Sequence, residues 1–299
     1  MTQEYRSGFA AVVGRTNAGK STLINALLGE KVAIVSPRVQ TTRNRILGVL
    51  HRPGAQLVFV DTPGLHQSRN RLSDYMMRQA YGSLEGADAA VLLVDATRGW
   101  GEWEDDIAER LQKSKLPLIC AVNKTDLVTK DALADVLCLI PDIFQEIFPI
   151  SAANGDQLPA LCDALFALLP EGPQYFPDDM VTDQPLRRMA AELIREQALL
   201  LLRDELPHGV GVSVAKIEEP AADAERPITR INADLFVERQ SHKGMVIGKG
   251  GAMLKSIGTT ARPALENLFG TQVYLELYVK VVSDWRNKPS VLRDLEYNE

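Results

Sequence analysis

Residues 14–22 read Gly-Arg-Thr-Asn-Ala-Gly-Lys-Ser-Thr, and this stretch decides the fold. An apolar run from Phe9 to Val13 precedes it, and a helical pattern from Ser21 to Leu28 follows it. The two glycines let the backbone turn its N–H groups towards phosphate oxygens, and the helix adds the positive end of its dipole. The strand, the loop and the helix together predict a phosphate-binding loop at the edge of an α/β sheet.

Composition excludes several classes of protein. The chain has 299 residues, of which 45% are hydrophobic and 24% charged, and its formal net charge is −6. Such a length suits about two domains, and the acidic balance argues against a protein that coats nucleic acid over its whole surface. Cys120, Cys138 and Cys162 lie in apolar contexts without metal-ligand spacing and are predicted to be buried thiols. The sequence shows no apolar signal core and no run of about 20 apolar residues, so we expect a cytoplasmic protein.

Short apolar strands alternate with amphipathic helices as far as residue 169, which predicts a doubly wound, mostly parallel sheet. Polar motifs follow the predicted strands at their carboxyl ends, where such sheets bind ligands. Prolines then concentrate between Pro170 and Pro185, and a second pattern of helix, two strands, two helices and a strand begins. We therefore predict a nucleotide-binding domain over residues 1–172, a stiff linker over 173–185 and an α+β domain over 186–299.

Residues 123–126 read Asn-Lys-Thr-Asp and are predicted to choose the base. The carboxylate of Asp126 can accept two hydrogen bonds from guanine, which has adjacent ring N–H and amino donors, and adenine has no such edge. Asn123 and Lys124 are expected to hold neighbouring loops and the flat face of the base. Residues 151–153, Ser-Ala-Ala, are expected to turn against the guanine oxygen.

The phosphates and a Mg²⁺ ion are predicted to meet side chains from three segments. Lys20 reaches the outer phosphates, and the Gly64 N–H contacts the last one. Mg²⁺ is assigned to the hydroxyl of Ser21, to Asp61 through water and to the hydroxyl of Thr42, with Thr41 left open as the alternative. Lys20, Thr42 and Gly64 are the predicted catalytic residues. The predicted nucleotide-binding residues are Gly14, Arg15, Thr16, Asn17, Ala18, Gly19, Lys20, Ser21, Thr22, Asp61, Thr62, Pro63, Gly64, Leu65, Asn123, Lys124, Thr125, Asp126, Ser151, Ala152 and Ala153.

A second glycine loop lies in the C-terminal region, where residues 246–251 read Val-Ile-Gly-Lys-Gly-Gly. KH domains clamp single-stranded RNA with a G-x-x-G loop between two helices. Residues 239–262 include five Lys or Arg and no Asp or Glu, which is a local basic patch in an acidic chain. The predicted RNA contacts are Lys243, Val246, Ile247, Gly248, Lys249, Gly250, Gly251 and Lys255.

Taken together, these motifs resemble the Era family of ribosome-assembly GTPases over nearly the whole chain. Further carriers are Val-Gln-Thr-Thr-Arg (39–43), Asp-Thr-Pro-Gly-Leu-His (61–66) and Tyr-Phe-Pro (175–177). The resemblance implies a P-loop GTPase domain with a C-terminal type II KH domain, and hydrolysis of GTP to GDP and phosphate with Mg²⁺. It also implies binding of single-stranded 16S ribosomal RNA near its 3′ end during small-subunit assembly, loose membrane association and a monomer.

Three positions qualify that resemblance. Leu65 stands where Ras-type enzymes carry a water-orienting glutamine, so hydrolysis must be slow or use another device. This keeps open an alternative, an RNA chaperone in which GTP is mainly a structural or regulatory ligand. Asn17 matches an asparagine that helps hold K⁺ in related GTPases and is a candidate K⁺ ligand, with a loop-stabilising amide as the alternative. Ala18 replaces a valine common in the family and should leave the phosphate loop intact.

Overall fold

The computed structural model describes residues 5–38, 41–64, 70–203, 206–221 and 226–297. Four residues of the motifs named above lie outside the described residues, namely Val39, Gln40, Leu65 and His66. The chain divides into two compact units. The first unit comprises Met1–Ala33, Thr42–Ser68 and Met76–Asp183, and the second comprises Ile34–Thr41, Arg69–Tyr75 and Gln184–Glu299.

A six-stranded sheet with the order β2-β3-β1-β4-β5-β6 forms the centre of the first unit. Its strands are β1 (Arg6–Gly14), β2 (Ile46–Arg52), β3 (Ala55–Asp61), β4 (Ala89–Asp95), β5 (Leu118–Asn123) and β6 (Glu146–Pro149). The helices between them are α1 (Lys20–Leu28), α2 (Arg71–Gly82), α3 (Glu102–Ser114), α4 (Lys130–Leu139) and α5 (Leu158–Ala167). Only the β2–β3 pair is antiparallel among the pairs of these strands. The mostly parallel sheet confirms the predicted α/β class.

Both faces of this sheet are buried, which explains why its strands are continuous apolar runs. Successive residues of β1 alternate between two core clusters, with Val12 in one cluster and Val13 in the other. The first cluster includes residues of α1 and α5, and the second includes residues of α3 and α4. The carboxyl ends of the parallel strands are thus held at one edge by a rigid core.

Residues 173–183 group with the first unit, so the boundary between the units lies later in the chain than residue 173. The buried amide of Gln56 accepts hydrogen bonds from the N–H groups of Tyr175 and Phe176, at 2.9 and 3.0 Å. Farther along, the Val49 N–H donates to the Val181 carbonyl at 2.8 Å. The proline-rich stretch therefore lies against β2 and β3 over much of its length.

The second unit is an α+β structure whose three-stranded sheet has the order β7-β8-β9. Its elements are α6 (Leu186–Leu201), β7 (Gly211–Glu218), β8 (Ile228–Val237), α7 (Gln240–Ile247), α8 (Ala252–Phe269), β9 (Gln272–Val281) and α9 (Pro289–Asp294). β7 and β8 are antiparallel, whereas β8 and β9 are parallel. α6 and α8 pack together and share one buried cluster with the sheet. The order of elements agrees with the sequence prediction.

The three cysteines are all free thiols, but only two of them are buried. Cys138 is exposed, so the prediction that it is buried is wrong. It lies on the solvent-facing side of α4, and its apolar neighbours in the sequence did not show which side of the helix would face the core. Burial raises the pKa of Cys120 to about 12, which makes that thiol unreactive. None of the described helices is long and apolar enough to cross a membrane.

Candidate functional site: a phosphate loop and a base-reading edge

The phosphate loop connects the end of β1 to the first residue of α1. Gly19 has a φ of +100°, and a Cβ atom there would lie 2.3 Å from Asn123 Nδ2. Only glycine fits both this backbone conformation and this close approach. Ala18 is 1% exposed, so a small side chain at that position packs into the core and leaves the loop open. α1 begins at Lys20, which places the free N–H groups of its first turn beside the loop.

Lys20 is 6% exposed, and its ammonium group donates to two loop carbonyls. Nζ lies 3.0 Å from the Gly14 oxygen and 2.9 Å from the Arg15 oxygen. Burial lowers the pKa of Lys20 to about 8, although the nearby Asp61 carboxylate opposes that shift. The side chain is therefore mostly protonated at pH 7, and its positive charge lies beside the loop carbonyls.

Ser21, Thr42 and Asp61 form a compact group of oxygen atoms. Ser21 Oγ lies 2.8 Å from Thr42 Oγ1 and 2.8 Å from Asp61 Oδ2. The other carboxylate oxygen, Asp61 Oδ1, is buried and has no hydrogen-bond partner in the described part of the chain. Thr41, the alternative ligand, turns its hydroxyl to the Arg38 carbonyl instead, at 2.7 Å. Two hydroxyls and a carboxylate with an unsatisfied oxygen fit a hard cation such as Mg²⁺.

Burial also perturbs Asp61 itself. It raises the pKa of Asp61 to about 6, against the opposing effects of the Lys20 charge and hydrogen bonds from Ser21 and Thr42. Asp95, at the end of β4, behaves in the opposite way. Burial alone would raise its pKa, but hydrogen bonds from Lys124 and Thr97 outweigh burial and leave the pKa below the ordinary value.

These opposite shifts predict opposite effects of two Asp→Asn changes on the ligand-free protein. The folded pKa of Asp61 exceeds the ordinary 3.8, so its charged form destabilises the fold, increasingly as the pH rises from 3.8 to about 6. The stabilisation from Asp95 is present above its ordinary pKa and is lost as the pH falls through its lower folded pKa. At pH 7 without nucleotide or Mg²⁺, Asp61→Asn should stabilise the protein by about 3 kcal/mol, and Asp95→Asn should destabilise it. Calorimetric melting of both variants measures this, and shifts of the same sign would contradict it.

The segment after Asp61 is held against the phosphate loop. The Thr62 hydroxyl donates to the Val12 carbonyl at 2.9 Å, which ties the end of β3 to β1. A Cβ atom at Gly64 would lie 2.7 Å from Thr16 Cα, so glycine is required for the segment to approach the loop this closely. Pro63 is also buried. The Gly64 backbone is thus placed beside the loop, as a contact to the last phosphate requires.

Asn123 connects the phosphate loop to the base-reading segments. Its Nδ2 donates to the Ala18 carbonyl at 2.8 Å, and its Oδ1 accepts from the Ala152 N–H at 2.9 Å. Thr125 adds a third connection, because its hydroxyl donates to the Ile150 carbonyl at 2.9 Å. Asn123, at the end of β5, therefore fixes the distance between the phosphate loop and the segments that are predicted to bind the base.

The carboxylate of Asp126, which is predicted to select the base, is oriented from the neighbouring loop. The Ser151 hydroxyl donates to Asp126 Oδ1 at 2.6 Å, and the Asp126 side chain otherwise faces solvent. Lys124 is fixed by Asp95, whose Oδ2 lies 2.6 Å from Lys124 Nζ. Asp95 was not among the predicted site residues. Its signal in the sequence was its position, since it is the last residue of a buried strand, where the other motifs also begin.

The remaining predicted nucleotide contacts lie around this cradle. Arg15, Thr16, Asn17 and Thr22 are half-buried along the loop and the start of α1, and Ala153 is exposed beyond Ala152. Asn17 has a φ of +66°, an uncommon conformation that asparagine tolerates better than most residues. The structure thus brings the described residues of all four motifs to one edge of the sheet.

The second glycine loop joins α7 to α8 in the second unit. Gly248, Gly250 and Gly251 have φ values of +73°, +59° and +81°, which explains why glycine stands at each of these positions. Lys249 and Lys255 are exposed, and Lys243 is half-buried. The loop therefore presents backbone and positive charge to solvent, as an RNA phosphate contact requires.

One predicted RNA contact is corrected by the structure. Val246 is 0% exposed and belongs to the core of the second unit, so it cannot touch RNA. Ile247 is half-buried and remains at the base of the loop. Val246 instead anchors the end of α7 in the core of the second unit, and this fixes where the glycine loop begins.

Family models match both parts of the chain. Residues 9–124 match the model described as a 50S ribosome-binding GTPase, and residues 205–286 match the model of a KH domain. The chain is 43% identical over 298 residues to the GTPase Era of Halothermothrix orenii, covering 98% of this chain and 99% of the relative. It is 45% identical over 295 residues to the GTPase Era of Geobacter metallireducens, covering 98% of each.

Two solved structures of Era also resemble this chain over almost its whole length. A crystal structure of Era in complex with MgGDPNP and nucleotides 1506–1542 of 16S ribosomal RNA is 41% identical, with a TM-score of 0.92, over 99% of this chain and all of that one. Era of Aquifex aeolicus bound to GDP·AlF₄⁻ is 40% identical, with a TM-score of 0.93, over 98% of this chain and all of that one. Together with the phosphate loop, the guanine-reading edge and the glycine loop, these likenesses establish that the chain belongs to the Era family of GTPases.

Proposed function

We propose that this GTPase binds single-stranded 16S ribosomal RNA through its KH domain, acts in assembly of the small ribosomal subunit, and alternates between GTP and GDP states as it does so. The observation that carries the proposal is the glycine loop of residues 248–251, with Lys249 exposed on it. Further support comes from the related Era structure, which holds both a GTP analogue and nucleotides 1506–1542 of 16S ribosomal RNA. Membership of a GTPase family argues against the alternative in which GTP is only a structural ligand.

Each part of the nucleotide site has a separate task in this function. The loop N–H groups and Lys20 bind the phosphates, and Asp126, oriented by Ser151, selects guanine. Ser21, Thr42 and Asp61 would hold Mg²⁺, since their oxygens are already within hydrogen-bonding distance of one another. A bound Mg²⁺ ion would neutralise charge on the outer phosphates during hydrolysis. The Gly64 N–H would contact the last phosphate, so the position of Gly64 would depend on whether that phosphate is present.

Lys249→Glu tests RNA recognition. The change removes one cation beside the RNA backbone and adds an anion, so affinity for an RNA spanning nucleotides 1506–1542 should fall by about tenfold or more. The dependence of that affinity on salt should also become weaker. Filter binding or fluorescence anisotropy measures both, with GTP affinity as an internal check that the other unit is intact.

Lys113→Glu is the matched control, because it makes the same change of charge on the exposed side of α3 in the first unit. It should leave RNA affinity within about twofold of the unchanged protein. Unaltered RNA binding by Lys249→Glu would rule out the glycine loop as the RNA clamp.

We also propose that Asn17 helps hold a K⁺ ion that promotes hydrolysis. Support comes from the resemblance and from the position of Asn17 within the phosphate loop, where its φ is +66°. GTP turnover should be several-fold faster in K⁺ than in Na⁺ at equal ionic strength, and Asn17→Ala should remove the difference. Equal rates in the two salts would contradict the assignment.

The resemblance further supports a cytoplasmic location with loose association to the inner face of the cell membrane, and a monomeric state. Fractionation of cells at low and high salt tests the location. Light scattering on the purified protein tests the oligomeric state.

A further inference from the structure

The segment of residues 34–41 leads directly to Thr42 of the nucleotide site, yet it belongs to the second unit. Ile34 is 4% exposed and is part of the second unit's hydrophobic core. The Val35 N–H donates to Glu196 Oε1 at 2.9 Å, and Arg38 Nη2 donates to the Leu202 carbonyl at 3.3 Å. The described part of this segment is therefore held at its start and middle by α6 and the residue that follows it.

The end of the segment is held by a buried cation. Arg195 Nη2 donates to the Thr41 carbonyl, and the same guanidinium is paired with Glu192 one turn earlier in α6. Arg195 is 0% exposed and Glu196 is 3% exposed. Burying two charged side chains is costly unless each has specific partners, and here those partners include two backbone groups of the 34–41 segment.

One nitrogen of the Arg195 guanidinium is an unsatisfied hydrogen-bond donor. This atom, Nη1, is buried and has no hydrogen-bond partner in the described residues. Such an unsatisfied donor costs free energy, so a second arrangement of the segment that supplied an acceptor would be stabilised.

A single peptide bond connects this clamp to the nucleotide site. The carbonyl that Arg195 binds belongs to Thr41, and the next residue, Thr42, has its hydroxyl 2.8 Å from Ser21 Oγ. The peptide unit is planar and has no internal rotation, so a displacement of the carbonyl also moves the Thr42 N–H. On the other side, α6 packs against α8, which begins directly after Gly251 of the RNA loop.

We propose that Arg195 and Glu196 are positioning residues that couple the nucleotide state to RNA affinity by holding Thr41 and Val35, which precede Thr42 of the nucleotide site. This rests on the proposed function, because it concerns RNA binding by the same chain. When Thr42 changes position with the nucleotide, the clamp transmits the change to α6, and from α6 to the helix that carries the RNA loop. By thermodynamic linkage, RNA must alter nucleotide affinity by the same factor.

The test measures RNA affinity with a GTP analogue and with GDP bound, and takes the ratio as the coupling factor. The probe is an RNA oligonucleotide spanning nucleotides 1506–1542 of 16S ribosomal RNA. Coupling factors between sites are typically about 5 to 150. Arg195→Gln and Glu196→Ala should reduce the ratio by about fivefold or more, while affinity for GDP alone stays within about twofold.

Two controls separate positioning from general damage. Glu196→Gln retains an oxygen that can accept from the Val35 N–H and should keep most of the coupling. Arg187→Gln loses the same charge from α6 as Arg195→Gln, but Arg187 is exposed and donates to the Ala215 carbonyl, so coupling should be unchanged. If Arg195→Gln fails to fold, Arg38→Gln decides the matter, because it removes a half-buried contact to the same segment.

The outcomes distinguish this inference from the proposed function. An unchanged coupling ratio in Arg195→Gln, Glu196→Ala and Arg38→Gln would overturn the clamp and leave the RNA switch intact. A ratio of one in the unchanged protein would overturn the switch itself. Loss of RNA binding in both nucleotide states, with no change of ratio, would assign these residues a purely structural role and would also overturn the clamp.

Discussion

Asp126→Asn is expected to change the preferred base from guanine to xanthine. The Asp126 carboxylate is oriented by the Ser151 hydroxyl at 2.6 Å and can accept from both the N1–H and the amino group of guanine. An asparagine keeps one acceptor but places an NH₂ donor against the guanine amino group. Xanthine carries a carbonyl oxygen there, so the same NH₂ group becomes a partner instead.

The hydrogen bond from the guanine amino group is replaced by a contact between two donors, and the bond from N1–H loses its charged acceptor. Hydrogen bonds to charged groups are worth about 1.5–3 kcal/mol each, so affinity for GTP should fall by at least about 100-fold. Affinity for xanthosine triphosphate should rise above that for GTP. Competition binding against a fluorescent nucleotide measures both. Asp135→Asn makes the same chemical change on the exposed face of α4 and should alter neither affinity. A variant at Asp126 that still prefers GTP would refute the assignment of this edge.

Lys20→Met is expected to abolish tight binding of nucleotide. The Lys20 ammonium is 6% exposed and lies within 3.0 Å of two loop carbonyls, so its charge acts on phosphate with little screening by water. Methionine fills much of the same space without charge or donors. GTP and GDP should each bind at least about 100-fold more weakly, as judged by calorimetric titration.

Lys20→Arg separates charge from shape. Arginine keeps the positive charge, but its planar fork cannot occupy the buried path of the lysine side chain without moving the loop. It should therefore fail nearly as badly as methionine. Lys113→Met, on the exposed side of α3, should bind nucleotide normally. Tight binding by Lys20→Arg would show that charge alone suffices and that the geometry described for the loop is not required.

The features that could be predicted best from the sequence are those that depend on residues close together in the chain. The alternation of strands and helices as far as residue 169 and the order of elements after it were predicted correctly, because most of these elements are strongly patterned runs. The Asn-Lys-Thr-Asp and Gly-Lys-Ser motifs could be placed at strand ends for the same reason. Once the strands were parallel neighbours, their motifs had to meet at one edge.

Features that depend on distant residues were missed. Nothing near Gln56 in the chain indicates that its buried amide binds the backbone of Tyr175 and Phe176, 119 and 120 positions away. Asp95 pairs with Lys124 across the sheet, and Arg195 binds a carbonyl 154 positions earlier. Val246 was predicted to contact RNA because an apolar residue beside a glycine loop fits both a groove and a core, and only the packing of α7 decides between them.

Residues 173–183, the proline-rich stretch that lies against β2 and β3, also determine where the chain can be truncated to prepare an isolated nucleotide-binding domain. β2 is an edge strand, and the Val49 N–H, which would otherwise be open, is occupied by the Val181 carbonyl. A fragment that stops at residue 172 would expose this edge and remove the two backbone N–H groups, of Tyr175 and Phe176, that donate to the Gln56 amide oxygen. Exposed edges of this kind recruit strands from other molecules. A soluble nucleotide-binding fragment must therefore extend through Asp183, so that residues 173–183 still cover the edge of the sheet at β2.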